Sequence, residues 1–384
     1  MRTEFEAKPY DSEPRESGVL AIQHLAHLVR TGAVSAEVPV TADQLQPNSM
    51  DLRLAGRAHR IRCSFLPGAL GVESCLRELS NDVHELDLNG EKGAVLEPNV
   101  PYLIELEERL RLPTALSARA NPKSSTGRLD VFARVVADTG EAFDEIPAGY
   151  EGRLFVHVIA RSFPIRVRRG DRLVQLRIAR GSSRLTDAET RALHAESPLL
   201  LGVNEPEPII EDGLCFSASL SGEDPVGYRA RAHTPLLDLG GVGAHPIEPF
   251  WQRIPASERG VLVLEPDAFY VLASHERVRV PADVCAEMVP FDAKSGELRT
   301  HYAGFFDSGF GAQTGARVVL EIRNRDTPFL LRDRQRIFRF QLHQNLAVPA
   351  VLYGAGNHYQ GQGLRLAKQF VSLHGRERQA GSPK

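Results

Sequence analysis

The stretch GAVLEPNVPYLIELEERLRLPTAL (Gly93–Leu116) returns later in the chain as GVLVLEPDAFYVLASHERVRVPADV (Gly260–Val284). Pro98 aligns with Pro266, Tyr102 with Tyr270 and Pro113 with Pro281, each at an offset of 168. Further on, FPIRVRRGDRLVQLRI (Phe163–Ile178) matches TPFLLRDRQRIFRFQL (Thr327–Leu342), where Pro164 and Pro328 are 164 apart. A self-similarity at a near-constant period is the mark of a repeated unit. The small drift in offset places short insertions and deletions in loops. Two tandem copies of one domain follow.

Within each copy the pattern is that of strands. Tyr102–Leu106, Leu154–Ile159, Leu173–Ile178, Val318–Ile322 and Ile337–Leu342 are short apolar or alternating runs bounded by Gly, Pro or charged clusters. The 32 Gly and 25 Pro exceed average usage and fit many turns. This predicts a mainly β protein, each copy an antiparallel barrel or sandwich. Helices are few: apolar residues at helical spacing predict one over Val19–Val29, and Asp187–His194 forms a second. The Pro-rich acidic run Asn204–Asp212 sets the boundary near 205, giving domains over 18–205 and 206–375. Residues 1–17 and 376–384 read as disordered.

Composition narrows the function. Forty-six Lys and Arg against 49 Asp and Glu give a net charge of −3 over 384 residues, so no basic surface for nucleic acid is expected. No run of 18 apolar residues is present, and the first residues lack an apolar leader core, so a cytoplasmic protein without a membrane partner is expected. Cys63, Cys75, Cys215 and Cys285 are scattered, with no CxxC to suggest a zinc site or a disulfide framework. Walker A, GxSxG and HExxH motifs are missing, and His194-Ala195-Glu196 lacks the cysteine pair that a zinc deaminase requires. Gly240-Gly241-Val242-Gly243 reads as a loop, because no strand–helix frame surrounds it.

Lys123-Ser124-Ser125-Thr126-Gly127-Arg128 is different. Two cations bracket three hydroxyls and a glycine, a set suited to gripping phosphate oxygens. A polar turn with solvated charges is the plainer reading. In copy two the matching residues are Lys294-Ser295-Gly296-Glu297-Leu298-Arg299, where Glu297 puts negative charge against any phosphate. One hairpin later the asymmetry reverses, for His157 of copy one aligns with Glu321 of copy two. Each follows an apolar strand and is expected to face a pocket, where burial raises a carboxylate's pKa and makes it a general base. An ion pair of Glu321 with Arg323 or Arg325 is the plainer alternative.

In order, the helix, Gln46-Pro47-Asn48-Ser49-Met50-Asp51-Leu52-Arg53-Leu54, KSSTGR, the strand ending in Glu321 and Tyr359-Gln360-Gly361-Gln362-Gly363 resemble the dCTP deaminase family, in its double-length bacterial form. The resemblance implies two tandem dUTPase-like distorted antiparallel β-barrels and a deamination of dCTP to dUTP without catalytic metal, feeding dUMP and dTTP synthesis. Glu321 matches the residue that takes a proton from the attacking water. Ser124 and Arg128 match groups that place water and base, with Lys123 and Ser125 beside them on the nucleotide. Backbone at Ala303, or Ala137 in copy one, matches the group that reads the pyrimidine edge, and Asp307 lies at the sugar. His358, Tyr359 and Gln362 match a tail that closes over the triphosphate, which carries Mg²⁺. Family sites lie between subunits, so the resemblance also implies a homo-oligomer, a trimer or a pseudo-trimeric assembly of domains. It further implies a composite site, with Ser124 and Arg128 of copy one facing Glu321 of copy two. Two readings compete. Asp138–Tyr150 resembles the hairpin of dUTP diphosphatases, implying that activity alone or a bifunctional enzyme, and the incompleteness of each copy fits an inactive nucleotide-binding module.

Overall fold

The computed structural model describes residues 15–79, 83–201, 207–290, 299–300, 304–325, 327–354 and 359–371. The expected boundary at 205, the tail 376–384, the copy-two segment Lys294–Leu298, Ala303 and His358 lie outside them.

Each copy carries two antiparallel sheets and a two-stranded ribbon. In copy one the larger sheet runs His84–Asp87, Leu54–Arg60, Tyr102–Arg111, Glu151–Ala160, Val131–Ala137. The other runs Gly18–Val19, Val174–Arg180, Leu116–Pro122, Glu145–Ile146. Copy two repeats the design around Phe269–Val278 with Ala316–Arg323 and Val284–Pro290 with Arg336–Gln344. Alternation explains these strands: Leu154, Val156, Val158 and Ala160 all point into the core of copy one. Antiparallel ladders then satisfy the buried backbone.

The repeat is exact in register. Tyr102 stands opposite Val158 and Tyr270 opposite Ile322, at the offsets of 168 and 164 read from the sequence. Each Tyr hydroxyl accepts from a backbone N–H five residues back, Glu97 at 3.1 Å and Glu265 at 2.9 Å. That shared bond explains the Glu-Pro-x-x-x-Tyr spacing common to both copies.

Helices are short, as expected, with two adjustments. Gly18–Val19 is strand, and the first helix is Ile22–Arg30, burying Ile22, Leu25 and Leu28. Asp187–Glu196 is opened by a capping box, in which Thr186 accepts from the Glu189 backbone N–H and the Glu189 carboxylate accepts in return. Val72–Glu78 forms a helix that the sequence reading passed over. Residues 15–17, expected to be disordered, are held instead: the Arg15 backbone donates to Leu346 and Ser17 accepts from Gln344.

The copies are not independent bodies. Tyr228, Trp251, Phe269, Leu366 and Phe370 of copy two lie in the same core as the barrel of copy one. Trp251, the single tryptophan, meets Phe163 edge-on at 5.2 Å and Phe370 at 5.9 Å. Leu237–Asp238 adds a parallel edge to the copy-one ribbon, and Arg168 grips Asp238 with two bonds of 2.6 and 2.7 Å. Asn48, from the Gln46–Leu54 stretch, forms a buried polar knot with Asn345 and Ser308 of copy two. The C-terminal segment thereby runs back over the front half of the molecule.

Candidate active site

KSSTGR begins where the Leu116–Pro122 strand ends. Lys123 is extended, Ser124–Gly127 makes a single helical turn, and Thr126 donates from its hydroxyl to the Leu173 carbonyl at 2.7 Å. The polar-turn alternative is thus replaced by a buried turn. Opposite it comes copy two's Ala316–Arg323 strand, whose Glu321 is 2% exposed. The Glu321 carboxylate packs directly on Gly127: a Cβ there would lie 2.6 Å from Glu321 Cδ. Glycine at this position is a requirement of the close approach.

Arg128 is 3% exposed and sits at the centre of the cross-copy contact. It donates to Gln362 Oε1 at 3.0 Å and to the Arg365 carbonyl at 2.9 Å, and its guanidinium lies 4.0 Å from the Tyr359 ring centre. Burial pulls its pKa down, while Tyr359 and Glu321 pull it back up. Arg323, one of the two arginines named in the plainer alternative, bonds Asp130 and Ser162 of copy one.

A cavity of about 390 Å³ opens here, lined among others by Lys123, Ser124, Ser125, Arg128, Asp307, Tyr359 and Gln362. Seven of the sequence-predicted residues therefore share one cavity, drawn from both copies. An adjoining cavity of about 250 Å³ continues past Lys123, Arg172 and Lys368. Lys123 pairs with Asp51, and Arg172 with Asp43 at 2.7 Å. Burial lowers the Lys368 pKa, and Lys123 and Arg172 lower it further against the opposing pull of Asp51. An anion placed among these cations relieves that repulsion.

The floor of the cavity is a copy-two hairpin held by copy-one side chains. Asp307 accepts from Arg177 at 3.1 Å and from Ser49 at 3.4 Å, and burial raises its pKa against the pull of Arg177. The Arg177 guanidinium stacks 4.1 Å from the Phe305 ring centre. Asn121 accepts from the Gly304 N–H at 2.7 Å. Arg177, Asn121, Arg172 and Lys368 were not anticipated, because nothing local in the sequence marks a residue that acts on the other copy.

His157 occupies the register of Glu321, for Leu103 faces His157 as Val271 faces Glu321. Its surroundings differ. The ring lies between Phe132 and Phe143 at 6.3 and 6.1 Å, neither nitrogen has a hydrogen-bond partner among the described residues, and burial depresses its pKa to about 4. Neither His157 nor Glu321 is among the side chains lining the two cavities, but Glu321 sits directly behind Gly127, next to Arg128 of the lining. Asp138 and Tyr150 of the diphosphatase-like hairpin are likewise outside it: Asp138 accepts from the Val72 N–H, and the Tyr150 hydroxyl donates to Arg153 O and accepts from the Asp138 N–H.

Two β domains that bring a buried carboxylate and a cavity lined by cations of both copies to one place have the makings of a nucleotide enzyme. Residues 16–182 match the model of the 2'-deoxycytidine 5'-triphosphate deaminase N-terminal domain, and residues 186–370 match that of the C-terminal domain. A crystal structure of 2'-deoxycytidine 5'-triphosphate deaminase from Agrobacterium tumefaciens is 42% identical, covers 87% of this chain and 97% of its own, and superposes with a TM-score of 0.82. The dCTP deaminase of Metallosphaera sedula is 30% identical over 145 residues, 37% of this chain and 73% of its own length. A dUMP-forming dCTP deaminase of Persephonella marina is 29% identical over 151 residues, again 37% and 73%. The chain belongs to the dCTP deaminase family of hydrolytic deaminases, in a double-length form.

Proposed function

We propose that this chain deaminates dCTP to dUTP and ammonia at the cavity between its two copies. The observation that carries this is the Glu321 carboxylate seated on Gly127 beside Arg128. Attack on C4 of cytosine at neutral pH needs water made hydroxide-like and then a protonated leaving amine. Glu321 takes the proton from water as oxygen bonds to C4. It returns the proton to nitrogen as the C4–N bond breaks, a general acid–base contribution of roughly 10²–10⁴-fold. Arg128 and Ser124 hold the base and the developing charge in a site largely shielded from water. Asp307 accepts from the sugar, and Ala303 offers its backbone to the pyrimidine edge. Lys123, Ser125, Arg172 and Lys368 receive the phosphates, Tyr359, Gln362 and His358 cover them, and Mg²⁺ enters as part of the substrate.

A cytoplasmic location fits the use of a free nucleotide, and among the described residues no helix is long and apolar enough to cross a membrane. The composite arrangement supports one site per chain, within a homo-oligomer. Incubation with dCTP, ammonia measurement and chromatography test the reading: ammonia with dUTP is expected. Ammonia with dUMP and pyrophosphate indicates the bifunctional enzyme, as in the dUMP-forming dCTP deaminase of Persephonella marina. Unchanged dCTP overturns the proposal, with cleaved dUTP pointing to a diphosphatase and tight binding without ammonia pointing to a binding module.

A further inference from the structure

Two residues past Arg128 stands Asp130, and two residues past Glu321 stands Arg323. Residues i and i+2 of a strand share a face, so Arg323 faces copy one alongside Glu321. The two charges meet there. Arg323 Nε donates to Asp130 Oδ1 at 3.3 Å, a second bond runs from its terminal nitrogen to Oδ2, and Ser162 touches both partners. The Asp130 side chain has no exposure and that of Arg323 has 8%. Asp130 also holds a φ of 56°, in the left-handed region that Asp adopts more readily than most residues. Backbone bonds fix it on both sides, its N–H donating to Gly127 O at 2.9 Å and its carbonyl accepting from Arg161 at 3.0 Å.

A buried ion pair is a poor way to add stability, since desolvation consumes much of the attraction, and its use is then to fix a geometry. Register supports this: the copy-one counterpart of Glu321 is His157, and the counterpart of Arg323 is Ile159, so the copy without the carboxylate also lacks the cation. We propose that the Asp130–Arg323 pair is a positioning device that locks the Arg128 turn of copy one to the Glu321 strand of copy two and so sets the distance between the two catalytic groups. The proposal rests on the deaminase reading above.

The test measures ammonia release from dCTP by the full chain and by Asp130→Asn, Arg323→Gln, the double variant and Ser162→Ala, with melting curves for each. Each charge-removing single change is expected to lower kcat about 100-fold, the scale of an ångström-sized misplacement. KM is expected to stay within about threefold, because the groups that hold the nucleotide are untouched. The double variant, with two neutral amides still able to bond, is expected to recover about tenfold of that loss, the non-additivity of a coupled pair. If the single changes prevent folding, Ser162→Ala decides, with a kcat decrease of roughly threefold or more at constant KM expected. Unchanged kcat in folded variants, losses confined to KM, or strictly additive effects overturn the proposal. A wild-type chain that releases no ammonia overturns the deaminase reading and this inference with it, whereas wild-type turnover with unaffected variants overturns the inference alone.

Discussion

His157 and Glu321 occupy the same rung of the same strand in two copies of one fold, yet one is wedged between Phe132 and Phe143 while the other faces the partner copy's Gly127. The difference teaches that matched positions of a duplicated fold can have unlike surroundings, which is what the proposed division of one site between the copies requires. Copy one carries KSSTGR and surrounds its histidine with aromatic rings. Copy two keeps the carboxylate and sends its C-terminal segment back to Arg128.

Changing the two matched residues is the sharpest way to break this comparison. Glu321→Gln is expected to lower kcat about 10³-fold, while His157→Gln leaves ammonia release near the wild-type rate. Equal losses from both contradict the division of labour. Next comes Gly127→Ala, whose added methyl must push the carboxylate away; a loss of about 10²-fold in kcat is expected, read by single-turnover kinetics with dCTP. Lys368→Met is expected to act on binding instead, raising KM about tenfold with kcat preserved, because Lys368 lines both cavities beside Lys123 and Arg172.

The smallest effect concerns acid stability. Unfolding returns His157 to a pKa of 6.5, while in the folded chain it is held at about 4. Its contribution to stability is therefore present above pH 6.5 and is lost as pH falls toward 4, where the unfolded chain binds the extra proton. His343, depressed to about 3 by burial and then by Arg177, acts in the same direction. His157→Leu is expected to reduce the pH dependence of denaturation midpoints between 6.5 and 4 by about one proton, leaving the part due to His343. An unchanged pH profile shows that His157 is not buried as neutral imidazole.

Much of the fold was legible because strands announce themselves by alternation and because the chain repeats itself. All five strand runs fall on strands, with only Leu173 outside its strand, and Tyr102 and Tyr270 fall on matching rungs. The Val72–Glu78 helix escaped notice because only Val72 is buried, which leaves no apolar stripe to read. KSSTGR and Glu321 stood out in the sequence as local chemistry, whereas Arg177, Asn121 and Lys368 did not. An arginine in an apolar strand looks the same whether it meets solvent or, as here, the Asp307 hairpin of the other copy.

By itself the sequence determined the duplication, the β character of each half, the placing of KSSTGR in the first and the replacement of His157 by Glu321 in the second. These are properties of neighbours along the chain, where period and spacing speak directly. Only the tertiary structure decided that Glu321 rests on Gly127, that Asp130 meets Arg323, that the tail returns to Arg128 and that His157 is shut among aromatic rings. Those contacts join residues more than a hundred positions apart or depend on which side chains fill a shared interior, and no local pattern encodes a distance across a packed interface.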